Sequence, residues 1–478
     1  KRMNTIKTRV LYGTGGAVYA VKESAYTMFI LLFYTQVLGL NGVTTGFIIG
    51  ISLLWDAISD PLVGVLSDRL ESRFGRRHPF MVASAIPAGL GFIGLFSPPA
   101  AILQNEILLA SWLLFWSLWV RTFITGFAIP HMALSAEISR QYNERSQILG
   151  ARLAFLFLFA VFVPALALSV IFNQQDGVDA RFVAASYPLY GALSCAVVWI
   201  MASISIIGTR RFIKPSKDTS STTPTALSIR SLVVSLGSTM KNRTFRLIMG
   251  YDLMASISYG TVVTLNMLAW TYFWEFSAAQ ISIILAVPSI IAIALAMTTL
   301  GPLSRRFQKY QLLQFALIGV IADMLWLYPL RLFDMLPENG SNTVFWLNFL
   351  FMLIFIYCFL LRSISSSSIV ADVTDEHELE HGVRQEATFF AAINFLSKVA
   401  TVFGPVYSGI VLEVIGLKEG LLPGEVPQST LDNLIYAMGI GAVPALCIGL
   451  IFVTKISMTR AQVEDIQTAL DARRTGVK

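Results

Sequence analysis

Stretches of apolar residues, each long enough to cross the roughly 30 Å of a bilayer's hydrocarbon core as a helix of about 20 residues, recur along the whole chain. Twelve are drawn here: 11–38, 43–66, 80–97, 107–134, 148–172, 184–208, 246–273, 279–300, 312–333, 343–368, 387–415 and 433–454. Only 13% of the residues are charged, against about 25% in soluble domains, and the mean hydropathy is +0.66. Backbone polar groups in lipid must be satisfied within their own segment, so the predicted class is an all-α membrane protein of twelve transmembrane helices.

Basic residues alternate with the spans. Lys1, Arg2, Lys7 and Arg9 precede the first; Arg69, Arg73, Arg76 and Arg77 follow the second; Arg140 and Arg145 follow the fourth; Arg305, Arg306 and Lys309 follow the eighth. The opposite loops carry little beyond Arg181, Arg331 and Lys418. Positive charge marks the cytoplasmic side, so both termini are expected there, in a multi-pass protein of the plasma membrane (the inner membrane of a bacterium). The net charge of +6 is spread over these short loops as a topogenic signal, and no nucleic-acid partner is implied. Cys195, Cys358 and Cys447 all fall inside apolar spans, where a free thiol acts as a small hydrophobe. The first apolar run is too long for a signal-peptide core and carries Lys22 and Glu23, so it is expected to remain as the first helix.

The loops repeat. Gly64-Val65-Leu66-Ser67-Asp68-Arg69 is echoed by Gly301-Pro302-Leu303-Ser304-Arg305-Arg306, an offset of 237 positions, and Ala136-Glu137-Ile138-Ser139 by Ala371-Asp372-Val373-Thr374, an offset of 235. Two six-helix bundles in the same orientation follow, 1–209 and 246–455, joined by a cytoplasmic linker at 210–245 and ending in a cytoplasmic tail at 456–478. Pro215 to Ser228 reads as flexible, and Ile229 to Leu236 as a short amphipathic helix on the membrane surface. The tail from Arg460 reads as a solvated helix.

Asp56 and Asp60 lie one helical turn apart inside the second span, with Pro61 directly behind them. A charge at mid-bilayer costs on the order of 3 kcal/mol, so a pair of carboxylates on one face requires a cation: Na⁺, H⁺ or a buried Lys or Arg. Pro61 lacks an N–H and leaves the carbonyl of Ala57 available as a further hard ligand. Lys22 and Glu23, flanked by Tyr19 and Tyr26 at helical spacing, form a polar stripe on the first helix that must face something other than lipid.

Trp55-Asp56-Ala57-Ile58-Ser59-Asp60-Pro61, the following Gly64-x-x-Ser67-Asp68-Arg69, Arg73-x-Gly75-Arg76-Arg77, and Ile129-Pro130 before Glu137 resemble the glycoside-pentoside-hexuronide:cation symporters, the melibiose-carrier branch of the major facilitator superfamily. The resemblance runs over essentially the whole chain. It implies the major facilitator fold, alternating access, a Na⁺ or H⁺ coupling ion, and no other cofactor. It implies a cation site of Asp56, Ser59, Asp60 and Thr125, and it assigns Glu23, Arg152 and Lys398 to substrate binding or coupling. Lys22, Tyr26 and Arg121 join the candidate substrate residues as the remaining polar groups of the same spans.

The departures shape the expected solute. Ala128 stands where those carriers have a second sugar-binding carboxylate, Met132 where they have an aromatic, and Ser363, in a serine-rich run, where they have another. Lys22, Arg121, Arg152 and Lys398 outnumber Glu23, Asp56 and Asp60, which favours a small polar solute with anionic character, such as a sugar acid or acidic glycoside. The alternative is a lysophospholipid or other amphipathic anion. A cytoplasmic gate of Asp68, Arg69, Arg76, Arg77, Glu137, Glu144 and Arg384 is expected, in a carrier that works as a monomer. A remote alternative, an intramembrane zinc protease, rests on His377-Glu378-Leu379-Glu380-His381, a literal H-E-x-x-H. Its neighbours Asp372, Asp375, Glu376, Arg384 and Glu386 read better as an ion-pair cluster.

Overall fold

The computed structural model describes residues 6–70, 72–139, 142–173, 179–213, 240, 242–381, 386–418 and 420–475. The expected surface helix at Ile229 to Leu236, the flexible segment before it and Arg384 lie outside them. The described residues hold helices and no strand. We number the helical rods α1 to α13. The first, α1, runs as Ile6–Gly13 and Gly15–Ser24 and continues through two wide π turns, Ala25–Phe29 and Leu32–Val37. Then follow α2 Gly42–Arg69, α3 His78–Phe96, α4 Glu106–Ile138, α5 Tyr142–Leu166 with a π turn Ala167–Ile171, and α6 Tyr187–Thr209. The later rods are α7 Arg243–Leu268 with a π turn Ala269–Phe273, α8 Ala278–Arg306, α9 Lys309–Met324 and Leu327–Leu332, and α10 Asn342–His381. They close with α11 Glu386–Thr401 and Phe403–Ile415, α12 Gln428–Thr454 and α13 Arg460–Thr475.

Eleven of these, α2 to α12, are long and apolar enough to cross a membrane. The twelfth expected span coincides with α1, whose helix is built in pieces and carries Lys22 and Glu23. Starts are set by side-chain caps: Asn41 Oδ1 accepts from Thr44 N at the head of α2, and Asn105 Oδ1 from Leu108 N at the head of α4, each at 3.1 Å. The repeat seen in the loops recurs in the backbone. Leu38 N donates to Phe33 O and Leu40 N to Tyr34 O at the end of α1; 236 positions later Trp274 N donates to Ala269 O and Phe276 N to Trp270 O at the end of α7. The heads of α2 and α8, at Gly42 and Ala278, and those of α4 and α10, at Glu106 and Asn342, stand at the same offset.

The chain forms two compact units, divided differently from the expected bundles. The first comprises Lys1–Ala226 with Val263–Ser282 and Pro405–Thr430; the second comprises Leu227–Val262, Ile283–Gly404 and Leu431–Lys478. Small residues explain why part of α11 belongs to the first. A Cβ on Gly46 would collide with the carbonyl oxygen of Pro405, and one on Gly409 with that of Gly42, so the two backbones touch directly. Asn41 donates to Glu413 at 2.9 Å, and the Gly420 N–H to Gln36 O at 3.1 Å. The end of α7 is held by fully buried Arg181, which pairs with Asp179 (2.6 Å) and donates to Thr271 (2.9 Å) and to Phe276 O (2.8 Å).

In the second unit, Phe245, Ile248, Leu313, Leu317, Val370, Val373 and Val453 build one apolar core. α13 docks onto this unit: Arg473 donates to Leu379 O at 2.6 Å, and Val463 and Leu470 are buried. The tail helix is therefore packed on one face, where a solvated helix was expected.

Candidate functional site

Three helices of the first unit bring their charges to one buried point. Lys22 of α1 places Nζ 2.9 Å from Asp56 Oδ2, and Arg121 of α4 places a guanidinium nitrogen 2.5 Å from the same oxygen. All three side chains are sealed, with exposures of 1% for Lys22, 3% for Asp56 and 2% for Arg121. Glu23 lies 3.4 Å from Lys22 Nζ and is the partly exposed edge of the cluster. Around it, Arg121 Nε donates to Ser52, one turn before Asp56, at 2.9 Å. The Arg121 guanidinium lies over the Tyr26 ring at 4.3 Å, and Lys22 Nζ over the Tyr19 ring at 4.1 Å.

Asp60 has a different environment. It is half-buried and accepts a hydrogen bond from Thr125 Oγ1 at 2.9 Å. Trp55 Nε1, donating to Thr122 at 2.8 Å, holds α2 and α4 in the register that makes this possible. Ser59 Oγ is buried and makes no hydrogen bond among the described residues. Of the four expected cation ligands, the structure thus joins Asp60 to Thr125 and gives Asp56 to two organic cations.

The expected charge excess also changes. Arg152 on α5 belongs to the first unit, where Lys22, Arg121 and Arg152 stand against Glu23, Asp56 and Asp60, three positive and three negative. Lys398 on α11 belongs to the second unit, next to Ser397, whose hydroxyl donates to Asp252. Asp252 and Arg362 were missed in the sequence. Both are charges inside apolar spans, which was the available signal.

Of the expected gate residues, the structure gathers Asp68, Arg77 and Glu137. Arg77 pairs with Asp68, approaches Glu137 at 3.4 Å and donates to Ser67 at 2.8 Å, fastening the ends of α2 and α4 to the turn before α3. Glu144 accepts from Ser139 at 2.6 Å, Arg76 is half-buried, and Arg69 is exposed. In the second unit Asp372 pairs with Lys309 at 2.6 Å and Glu376 accepts from Asn242 at 2.8 Å. His377 is buried near the end of α10.

Two buried cations thus share one carboxylate inside an apolar helix, with a second carboxylate a turn away. A family model described as MFS/sugar transport protein matches residues 11–459. The chain belongs to this family. It is a multi-span membrane transporter and not an enzyme, which removes the protease reading of the H-E-x-x-H run. An uncharacterized symporter of Synechocystis sp. is 24% identical over 98% of this chain and 96% of its own. A protein of Escherichia coli named as a glycoside/cation symporter, YagG, is 23% identical over 98% and 95%. The sodium-dependent lysophosphatidylcholine symporter 1-A of Danio rerio is 33% identical over 32% of this chain and 28% of its own. Among solved structures, a bacterial homologue of the human drug peptide transporters PepT1 and PepT2 has a TM-score of 0.64 at 13% identity, covering 98% of this chain and 99% of that one. An inward-facing bacterial homologue of the lysosomal transporter Spinster has a TM-score of 0.63 at 13% identity, covering 98% of both. The fold is that of the major facilitator transporters.

Proposed function

We propose that this protein is a cation-coupled symporter of a small polar organic solute (a sugar, glycoside or sugar acid) working by alternating access in the inner membrane of a bacterium, with both termini cytoplasmic. The observation that carries the reading is the division of labour on α2. Asp56 is neutralised internally by Lys22 and Arg121, while Asp60, with Thr125 and the nearby hydroxyl of Ser59, offers hard oxygens to Na⁺ or H⁺. The partly exposed Glu23 and the ring of Tyr26 border the cluster as substrate contacts, and Arg152 of the same unit is a further candidate. The sequence repeats 1–209 and 246–455 act as the two halves, with 210–245 as linker and 456–478 as tail, in a functional monomer. The pairing Arg77–Asp68 with Glu137 holds the cytoplasmic end of the first half.

Uptake into proteoliposomes under imposed Na⁺ or pH gradients tests this. Asp60→Asn is expected to abolish the response to the gradient while leaving the protein folded, and Thr125→Val to weaken apparent cation affinity several-fold. Gradient-driven accumulation that survives in Asp60→Asn removes the site.

A second reading has its own support. The partial relatives named as lysophosphatidylcholine symporters favour an amphipathic lipid, and Met132 is an exposed apolar side chain on α4. Inhibition of uptake by lysolipids and not by sugar acids decides for it.

A further inference from the structure

The second unit contains a polar cavity of about 180 Å³ between α7, α10 and α11, walled by Asp252, Arg362, Ser363, Ser366, Asn394 and Ser397. Pockets for drug-sized ligands measure roughly 300–1,000 Å³, so this cavity takes a small polar part of a solute and not a whole lipid. Its two charges come from different helices and both are braced. Asp252 receives the hydroxyl hydrogen of Ser397, and the Arg362 guanidinium is stacked over Phe359 at 4.8 Å, beside the Tyr251 ring at 6.0 Å. Tyr251 also lines the cavity.

Resting on the symporter reading above, we propose that this cavity is a hydroxyl-recognition subsite, in which Asp252 and Arg362 together clasp neighbouring hydroxyls of a neutral polyol or glycoside. The pair carries one charge of each sign, so a singly charged ligand would be attracted to one partner and repelled by the other, and a neutral polar ligand suits both. An acyl chain would cover both charges without offering either a hydrogen bond. A hydroxyl is donor and acceptor at once, so two adjacent ones give a hydrogen to Asp252 and accept from Arg362, while Ser363, Ser366 and Asn394 supply further donors and acceptors. The Tyr251 ring suits the apolar C–H face of a sugar. The small side chain of Ser363 leaves the cavity open here.

The test uses the purified full-length protein and a panel of methyl pentosides and hexosides, their mono-deoxy analogues, the matching uronic acids and lysophosphatidylcholine, with affinity read by calorimetry. The expected result is that a neutral glycoside binds, that removing one hydroxyl of an adjacent pair weakens it about tenfold or more, and that Asp252→Asn and Arg362→Gln abolish this deoxy penalty. Ser363→Leu, which fills the cavity without touching a charge, is expected to lose glycoside binding at an unchanged melting temperature. This variant carries the test if the charge variants do not fold. Glycosides bound equally by wild type, Asp252→Asn, Arg362→Gln and Ser363→Leu overturn the subsite while leaving the symporter reading intact. Binding of lysophosphatidylcholine alone overturns both.

Discussion

The two compact units treat buried charge in opposite ways. In the first, Asp56, Lys22 and Arg121 are buried and joined at 2.5–2.9 Å, so the carboxylate is neutralised within the protein. In the second, Asp252 and Arg362 are half-buried and face a cavity, and the hydroxyl of Ser397 donates to the carboxylate. The same helical framework underlies both, since α1 and α7 end in the same hydrogen bonds and α2 and α8 begin at matched positions. At the 236-residue offset, however, Asp56 corresponds to Ala292, and Asp252 to Gly16, where any side chain would strike the carbonyl of Arg152. A repeated scaffold thus carries chemistry that is not repeated: one half holds charges in reserve against each other, and the other presents them outward.

The contrast is sharpest under alanine. Asp56→Ala leaves two buried cations without their anion, expected to destabilise by about 3–5 kcal/mol and to show as lost monodisperse protein in detergent. Asp252→Ala, half-buried beside a polar cavity, is expected to cost about 1 kcal/mol or less by the same measurement; equal losses would erase the distinction. Next in size, Gly46→Leu pushes against the Pro405 carbonyl and is expected to lower the melting temperature by several degrees while preserving helix content, read by circular dichroism. A subtler outcome is expected from Lys22→Met/Asp56→Leu/Arg121→Met. Replacing a buried ion cluster by apolar side chains is often neutral for stability, so this variant should fold and yet not transport, separating the cluster's structural role from its functional one. Smallest is Arg77→Gln, worth about 1 kcal/mol, because Asp68 and Glu137 are both partly exposed; its thermal shift should shrink further in high salt.

Much of the scaffold was legible because lipid allows few solutions: span length and the duplicated loop motifs both survive translation into helices. The cation requirement of Asp56 was also legible as a list of options, Na⁺, H⁺ or a buried base. Its resolution was not, because Arg121 lies 65 positions away and only the packing of α4 on α2 shows that its guanidinium arrives. The π turns of α1 escaped for another reason: a wide i→i+5 turn leaves no hydrophobic period of its own, and the segment scans as one span. Asp252 and Arg362 lie outside the resembled motifs, although a lone charge in an apolar run carries the same warning wherever it falls. Lys22, Arg121, Arg152 and Lys398 against three carboxylates suggested an anionic solute; within the first unit the expected site charges stand three against three, and the hydroxyl-bearing class rests on the opposite charges of Asp252 and Arg362 in the second.

The contact of α2 with α11 at Gly42, Gly46 and Gly409 brings main chain against main chain, with the Leu412 side chain beside Gly42 and the Asn41–Glu413 hydrogen bond at its edge. Close approach of two backbones fixes few side-chain rotamers, so little conformational entropy is spent in forming such a seam.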